Sequence, residues 1–451
     1  MTECSQSGFT FAGHFSRRVE ASFDAGSMTS DAGGLLLRET DRRLNLLSRL
    51  SACFLDGRNP SMIKHAVPEM VAQRVYGLIL GYEDLNDHEQ IRRDPVLQVL
   101  AGKRDVNEPL AGKSTLNRLE SGGPPDRYKK ILCRPEMIDE LLVTLFLESF
   151  DAAPAEIVLD LDTTDLELHG GQEGRFFHGY YDEYCYLPLY IFCGEHLLCV
   201  RLRQANIDAA AGSLAEVERI VAQIRACWPQ TRIILRGDSG FSRDELMTWC
   251  EQQNHVHYVF GMARNERLRR IIGSALAEAD VLYRETLRPS RVFTEFAHAT
   301  TTGSWSRQRR VVAKAEHIAG KENPRYVVTS LDAAEWPAQR LYEELYCARG
   351  DMENRIKEQY QLFAGRVSTE TMRANQLRLY LSAMAYTLVT GLRRLGLRAT
   401  ELARAEAATI RTRLFKIGAL VRVSVRRIWL SMASSYPWQP LFEQVWTNLR
   451  C

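Results

Sequence analysis

Two short apolar runs, each leading to an aspartate, constrain the fold of this 451-residue chain more than any other feature. One is Ile157–Asp162, and the other is Thr231–Leu235, which leads through Arg236 and Gly237 to Asp238. Runs of this length, rich in β-branched residues, predict buried strands. Between them lie an apolar hairpin pattern at 186–202 and a helical pattern at 209–226. This order predicts a mixed sheet covered by helices, because each element must bury its apolar face against another.

The predicted sheet would bring two aspartates to one edge. The fold class is α/β, and the order of elements is that of a ribonuclease-H-like core, in which the first and fourth strands are neighbours. Asp162 and Asp238 would then project from adjacent carboxyl ends, where open α/β sheets bind ligands. Asp160 and Asp165 are rivals of Asp162; we prefer Asp162 because it ends the strand, although Asp160 points to the same face. The alternative role for Asp238 is an Asx-turn that only shapes the chain.

A charged segment at 345–358 supplies a third carboxylate. Read as a helix, it stacks four polar side chains on one face, because residues at i, i+3/i+4 and i+7 superpose. These side chains are Tyr346, Arg349, Glu353 and Lys357. The carboxylate would hold a cation, and its neighbours would bind phosphate oxygens. Taken alone, the segment is more simply a solvated helix with Glu353–Lys357 pairing, but the two upstream aspartates favour the metal interpretation.

Two carboxylates at strand ends and one on a helix suit a pair of divalent metal ions acting on a phosphodiester. Carboxylate oxygens are hard ligands that suit Mg²⁺ or Mn²⁺, and two ions about 3.5–4 Å apart stabilise both the entering and the leaving oxygen. Other chemistries lack support in the sequence. It contains no Walker A or G-x-G-x-x-G element, and its ten cysteines include no C-x-x-C pair that would indicate structural zinc.

The pattern in the N-terminal residues 1–150 predicts a helical, DNA-binding domain. Leu35–Leu44 has helix spacing, and a Gly-Gly-Pro-Pro run at 122–125 predicts the end of another helix. Arginines and lysines on these short helices would read DNA, or the helices would serve only as a scaffold.

The remaining chain divides into a predicted catalytic domain at 151–395 and a basic helical region at 396–451 for DNA contact and dimerisation. A β-rich basic insertion is expected at 265–337 inside the catalytic domain. Its Arg309 and Arg310 are candidate phosphate contacts, since basic residues interleaved with aromatics suit a nucleic-acid backbone. The alternative is a solvated β-surface. The net charge of only +2 means that DNA binding depends on where the charges lie.

Four motifs carry a resemblance to a known family: Asp160–Thr164, Tyr186–Leu189, Arg236–Phe241 and Tyr346–Glu358. In them the chain resembles the Asp-Asp-Glu transposases of bacterial insertion sequences. It falls in the branch with a Tyr-x-x-Arg-x-x-x-Glu signature followed by Lys, and looks like the thirteen-eighty insertion-sequence family. The branch places its Lys further beyond the Glu, where this chain has Tyr360.

The resemblance implies cut-and-paste transposition, with cleavage at terminal inverted repeats and attack of the freed 3′-hydroxyl on target DNA. The implied ligands of two Mg²⁺ or Mn²⁺ ions are Asp162, Asp238 and Glu353. The implied phosphate contacts are Tyr346, Arg349 and Lys357. Trp305 would stack on an unpaired base during cleavage, or else anchor a buried hairpin.

The implied partners are double-stranded DNA, as inverted repeats and target, and a second copy of the chain in a synaptic complex. Trp429, Trp438 and Trp446 are candidates for part of that dimer contact. The N-terminal residues show no basic-then-apolar pattern, so we expect no leader, and no apolar run comes near the ~20 residues of a membrane span. We therefore expect a cytoplasmic, nucleoid-associated bacterial protein with no membrane partner. Two other functions stay open: a non-catalytic DNA-binding regulator, and a ribonuclease-H-like nuclease without strand transfer.

Overall fold

The computed structural model describes residues 8–121, 130–300 and 303–450. Its contacts divide the chain into two compact units. One unit comprises Arg134–Tyr360 and Ala364–Ala383, and the other comprises Met1–Cys133, Gln361–Phe363 and Met384–Cys451. These bounds differ from the predicted ones, since the C-terminal residues group with the N-terminal ones. The predicted helix end at 122–125 lies outside the described residues.

A nine-stranded mixed sheet forms the centre of the first unit. In chain order its strands are β1 (Glu156–Thr163), β2 (Leu189–Cys193), β3 (His196–Arg201), β4 (Arg232–Gly237), β5 (Val256–Met262), β6 (Ser290–His298), β7 (Arg309–Ile318), β8 (Lys321–Glu322) and β9 (Arg325–Thr329). The order across the sheet is β3-β2-β1-β4-β5-β9-β7-β6, with β8 paired to β7. Strands β1, β4 and β5 are parallel, whereas β2 is antiparallel to β1. The predicted mixed sheet is therefore confirmed.

Apolar residues bury both faces of this sheet. The helices of the unit are α1 (Pro135–Leu147), α2 (Ser213–Cys227), α3 (Asp244–Gln252), α4 (Glu266–Ile271), α5 (Gly273–Thr286), α6 (Gly350–Gln361) and α7 (Met372–Leu395), the last of which continues into the other unit. Side chains of α1 to α5 pack on one face with Ile233 and Leu235 of β4. Ile234 points the other way, as strand alternation requires, and packs near Leu341 and Leu345. That second face sets the position of the segment leading into α6.

The expectation of a β-rich insertion at 265–337 needs correction. Its first third forms α4 and α5, because Asn265 caps α4 by accepting a hydrogen bond from the Leu268 amide (2.9 Å), and apolar residues recur at helical spacing. The strands that follow extend the central sheet through pairing of β9 with β5. The part of the chain that connects β1 to β2 forms a small antiparallel sheet of its own, with strands Leu166–Glu167, Phe176–His178 and Glu183–Tyr186.

The second unit combines short helices with three small sheets. Its α-helices are Leu35–Leu44, Leu46–Ala52, Val67–Leu80, Asp87–Ile91, Pro95–Leu100, Lys113–Glu120, Ala407–Ile410 and Gln439–Arg450. Its strands are Phe9–His14, Arg17–Ala21, Met28–Thr29, Phe54–Asp56, Ile131–Cys133, Ala419–Val423 and Ile428–Met432. The helix predicted at Leu35–Leu44 is confirmed.

The prediction of a basic helical region at 396–451 needs correction, because two strands lie between its helices. Ala419–Val423 pairs antiparallel with Ile428–Met432 and with Met28–Thr29. The strand buries Ala419 and Val421 and exposes Arg422. This two-residue alternation of apolar and polar residues is typical of a strand, even in a segment rich in arginine. Among the described residues, no helix is long and apolar enough to cross a membrane.

Candidate active site

Asp162 and Asp238 lie at the ends of neighbouring parallel strands. The register of β1 and β4 pairs Asp160 with Arg236 and Leu161 with Gly237. The next position in this register sets Asp162 beside Asp238. On the other side of β4, Gly237 pairs with Phe260 of β5, which sets Gly261 beside Asp238 in the same row. The order of elements in the sequence predicts this juxtaposition of the two aspartates.

Both oxygens of Asp162 have partners. Oδ1 accepts a hydrogen bond from the Thr163 amide (2.9 Å), and Oδ2 accepts one from Nη1 of Arg349 (3.1 Å). Burial raises the pKa of Asp162 to about 6; the charge of Asp238 also raises this pKa, while the Arg349 guanidinium lowers it. The charged form of Asp162 is therefore disfavoured at this strand end, and a bound cation would stabilise it.

Asp160, the first rival of Asp162, is held in a buried ion pair. Its two oxygens accept hydrogen bonds from Nε (2.5 Å) and Nη2 (2.8 Å) of Arg236. Arg236 also donates to the Leu345 carbonyl (2.6 Å), so the pair ties β1 and β4 to the segment before α6. Asp165, the second rival, lies beside Glu183 instead, where burial and the Asp165 carboxyl raise the pKa of Glu183. These contacts support Asp162 as the available carboxylate.

Asp238 follows β4 and caps a 3₁₀ turn formed by Ser239–Phe241. Its Oδ1 accepts a hydrogen bond from the Gly240 amide at 2.8 Å. The Asx-turn that the sequence offered as an alternative role is thus present. This turn fixes one oxygen of a half-buried carboxylate at the strand end, so shaping the chain and offering an oxygen to a ligand are compatible roles.

The segment predicted as one helix at 345–358 is helical throughout but not uniform. Leu341–Tyr346 forms a π-helix, Cys347–Arg349 forms a 3₁₀ turn, and α6 begins at Gly350. Such departures from regular α-helix are frequent at functional sites. Arg349 lies at the junction, where Nη1 reaches Asp162 and Nη2 lies 3.5 Å from Oε1 of Glu353. This guanidinium links the strand end to α6, on which the Glu353 side chain is 52% exposed.

Tyr346 packs its hydroxyl over a glycine that the sequence analysis did not single out. A Cβ on Gly261 would lie 2.5 Å from the Tyr346 hydroxyl oxygen and 3.1 Å from the Ser239 amide nitrogen. Only a residue without a side chain lets the phenol and the turn after Asp238 approach β5 so closely. A glycine inside a strand, in Val-Phe-Gly-Met, is a signal of close backbone approach that could have identified this position.

Lys357 lies on exposed surface one turn beyond Glu353. In the parts of the chain that the structure describes, no carboxylate forms an ion pair with its ammonium group. Tyr360, which occupies the later position where the family signature has Lys, donates a hydrogen bond to the Asp165 carbonyl (2.6 Å). Tyr360 therefore anchors α6 to the chain after β1.

Trp305 and Arg309 are buried, which corrects the expectation that they contact DNA. Trp305 is 8% exposed and belongs to the larger core cluster, in agreement with the alternative of a hairpin anchor. The Arg309 side chain is 1% exposed and pairs with Asp244 (2.6 Å) and Glu251 (2.8 Å) on α3. The sequence pattern of basic residues among aromatics reflects ion pairing inside the fold here, and neither side chain can meet DNA in this conformation.

Arg310 also has a structural role. Its Nη2 lies 2.5 Å from Oε2 of Glu295 on β6, and its Nη1 donates to the Leu331 carbonyl (2.9 Å). The side chain is 17% exposed. Because its donors serve the sheet, we do not retain Arg310 as a phosphate contact.

The donor set suits a hard divalent cation, although it is not a closed metal cluster. Within residues 8–121, 130–300 and 303–450, no group of three or more His, Cys, Asp or Glu side chains is close enough to hold an ion. Two carboxylates on adjacent strand ends nevertheless offer oxygen ligands, and burial together with the charge of Asp238 raises the pKa of Asp162. Arg349 joins Asp162 to Glu353, so binding of a cation would require the guanidinium to yield part of these contacts.

A comparison with protein-family models places these residues in context. The family described as "Transposase DDE domain group 1" matches residues 11–451. The chain belongs to this family, whose membership implies cleavage or transesterification of phosphodiesters. No curated protein matches the chain. Matching solved structures include a cryo-EM structure of a piggyBac transposase synaptic complex with hairpin DNA, at 11% identity and a TM-score of 0.43, over 86% of this chain and 79% of that one.

Proposed function

We propose that this protein is a DNA transposase that cleaves DNA at the terminal inverted repeats of its element and joins the freed 3′-end to target DNA. The carrying observation is the meeting of Asp162 and Asp238 at adjacent strand ends, with Arg349 connecting Asp162 to Glu353. The family match supports the class of chemistry over nearly the whole chain.

The strand order supports a ribonuclease-H-like core. Strands β3-β2-β1-β4-β5 are neighbours in this order, with β2 antiparallel to β1 and the other crossovers made by α2 and α3. In this assignment β1 carries the first carboxylate, the end of β4 carries the second, and α6 carries the third. The three ligands would be Asp162, Asp238 and Glu353.

Two bound Mg²⁺ or Mn²⁺ ions would supply positive charge to the attacking and leaving oxygens of the phosphodiester. Arg349 would hold a phosphate oxygen, because a guanidinium has five N–H donors and only two of its nitrogens serve carboxylates here. Tyr346, whose hydroxyl reaches the row of Asp238 and Gly261, would donate a hydrogen bond to the same phosphate. Lys357, exposed one turn along α6, would contact a neighbouring phosphate.

The partners in this proposal are double-stranded DNA and a second copy of the chain. Cut-and-paste movement requires both ends of the element in one complex, which favours a homodimer bound to DNA in the bacterial cytoplasm, at the nucleoid. Light scattering of the purified chain with and without end DNA measures the subunit number. A strict monomer under both conditions would contradict the dimer.

The function is tested by incubating the protein with Mg²⁺ and DNA that carries the sequences flanking its gene. We expect nicks at the element ends and, with added target DNA, joined products; Asp238→Ala should abolish both, while Asp151→Asn, a change of an exposed aspartate, should not. Cleavage without joining would identify a nuclease, and binding without cleavage would identify a regulator. If Asp238→Ala cuts as well as wild type, the catalytic assignment fails.

A further inference from the structure

An exposed β-hairpin in the second unit carries a cluster of arginines that has no role in the proposed catalytic site. We call it the arginine hairpin: strands Ala419–Val423 and Ile428–Met432 with their connecting turn. The turn is ordered by backbone hydrogen bonding, since the Ser424 amide donates to the Arg427 carbonyl (2.8 Å) and the Arg427 amide donates to Ser424 Oγ (3.2 Å). All eight residues from 422 to 429 are exposed.

The charge on this hairpin is not neutralised by the protein. Arg422, Arg426 and Arg427 form no ion pair with any carboxylate among the described residues, and no Asp or Glu occurs between residues 407 and 442. A nearby cation behaves differently: Lys416 pairs with the buried Asp31 at 2.6 Å. The unpaired positive charge is therefore concentrated on the hairpin, where an anionic partner can reach it.

The hairpin forms one wall of a groove of about 1230 Å³. Leu35–Leu44 and the loop at 102–107 form the opposite wall, which adds Arg38 and Arg104. Two carboxylates also line the groove. Glu39 is paired with Arg42 (3.0 Å), and Asp105 accepts hydrogen bonds from Asn107 (2.9 Å). Glu39 is paired within its helix, whereas Asp105 accepts only amide hydrogen bonds and keeps its charge. Arginines nevertheless outnumber the carboxylates that line the groove: Arg38, Arg104, Arg426 and Arg427.

The hairpin also exposes apolar side chains, among them one in its turn and two at the start of its second strand. Val425 is fully exposed, and Ile428 and Trp429 are 41% and 57% exposed. Exposed apolar side chains among arginines match duplex DNA, whose major groove admits a two-stranded β-ribbon and offers thymine methyl groups between two rows of phosphates. A second protein surface would need a matching acidic patch.

We infer that the arginine hairpin and its groove form a binding site for duplex DNA, additional to the strand ends that carry Asp162 and Asp238. Arg422, Arg426 and Arg427 bind phosphates, and Val425 enters the major groove. This inference rests on the proposed action of the chain on DNA. The site would bind DNA without taking part in the chemistry, so its contribution to affinity should not depend on metal ions or on cleavage.

The test measures binding of the full-length protein to duplex end DNA by fluorescence anisotropy in EDTA, across a series of salt concentrations. The variant R422Q/R426Q/R427Q removes three charges. The slope of log K against log salt concentration is negative, and we expect it to become less steep by about 2.7, because each phosphate contact contributes about −0.9. The matched control R269Q/R284Q/R340Q removes three charges that are already paired with Glu322, Asp280 and Glu344. Its slope should change by less than about 1.

An unchanged slope in the hairpin variant, or a change no larger than in the control, overturns the inference. So does a weaker self-association at an unchanged slope, because that result identifies the hairpin as a contact between protein copies. Equal thermal melting of the variant and wild type excludes misfolding, and is expected because the three side chains are exposed. Wild type that binds through the hairpin but never cleaves would remove the proposed function and leave this site standing.

Discussion

Asp160 and Asp162 lie two residues apart on one strand, each paired with an arginine, yet the two ion pairs differ in kind. Asp160 and Arg236 share two hydrogen bonds, of 2.5 and 2.8 Å, with side chains 5% and 8% exposed. Asp162 and Arg349 share one, of 3.1 Å, with side chains 13% and 20% exposed. In the first, closed pair, the Arg236 guanidinium donates only to Asp160 and to the Leu345 carbonyl among the described residues. The second is open, and Arg349 divides its donors between Asp162 and Glu353.

This difference separates a carboxylate that holds the fold from one that is available for chemistry. Removing one partner of a buried pair costs about 3–5 kcal/mol, because it leaves an uncompensated charge. The Asp162–Arg349 pair has a single hydrogen bond, of 3.1 Å, and more exposed side chains, so breaking it should cost less. Substitutions at Asp160 should therefore change stability, and substitutions at Asp162 should change activity.

The largest effect is expected for Asp162→Asn. Loss of a metal ligand should lower single-turnover cleavage by at least about 10³-fold, or about 4 kcal/mol in the activation barrier. The free energy of unfolding, measured in urea, should fall by less than about 3 kcal/mol, the lower end of the cost of breaking a buried pair. A variant that is strongly destabilised but still cleaves would reverse the roles given to the two aspartates.

Asp160→Asn should produce the opposite pattern. The unfolding free energy should fall by about 3–5 kcal/mol, since Arg236 is left buried without its anion. A useful control is D160L/R236M, which replaces both charges by apolar groups and should regain most of that stability. Equal stability of Asp160→Asn and wild type would mean that the closed pair does not hold the sheet.

Arg349→Gln tests the open pair from its other side. We expect cleavage to slow by about 10²-fold, the scale typical of losing one positioned donor to a developing charge. The free energy of unfolding should fall by less than about 3 kcal/mol, as for Asp162→Asn. Arg349→Lys separates charge from geometry: recovery of the full rate by lysine would argue against a guanidinium that contacts two groups at once.

The smallest effect is expected at the end of the row, for Gly261→Ala. The added methyl group would lie 2.5 Å from the Tyr346 hydroxyl, so the phenol must move. Overpacking of this kind costs about 1–3 kcal/mol of stability. We also expect slower cleavage, because the Tyr346 hydroxyl is displaced. The double variant G261A/Y346F removes the clashing oxygen and should regain stability but not activity. Unchanged cleavage by Gly261→Ala would exclude Tyr346 from the site.

The parts of the fold that follow from local pattern could be predicted from the sequence. The strand at 157–162, the strand before Asp238 and the helix Leu35–Leu44 all follow from spacing of apolar residues. The choice between Asp160 and Asp162 could not be made, since alternation puts both on one face. It depends on Arg236, which lies 76 residues further along the chain and only meets Asp160 through the sheet.

Charge was the less informative signal. Arg309 reads as a phosphate contact in the sequence, yet it is buried against Asp244 and Glu251, which belong to a different element. In the C-terminal segment, the many arginines favoured the prediction of a helical DNA-binding region. The two-residue alternation around Val421 indicates a strand instead. The partner of a charged side chain is decided by tertiary packing, and local sequence carries little information about it.

The central claim, that Asp162 and not Asp160 joins Asp238 and Glu353 in binding metal, is tested most directly by counting Mn²⁺ ions. Electron paramagnetic resonance of free Mn²⁺ during titration of the protein–DNA complex, corrected for DNA alone, gives the number bound per chain. We predict two for wild type and for D160L/R236M, and fewer for Asp162→Asn, Asp238→Asn and Glu353→Gln. Two ions bound by Asp162→Asn with wild-type affinity would contradict the account.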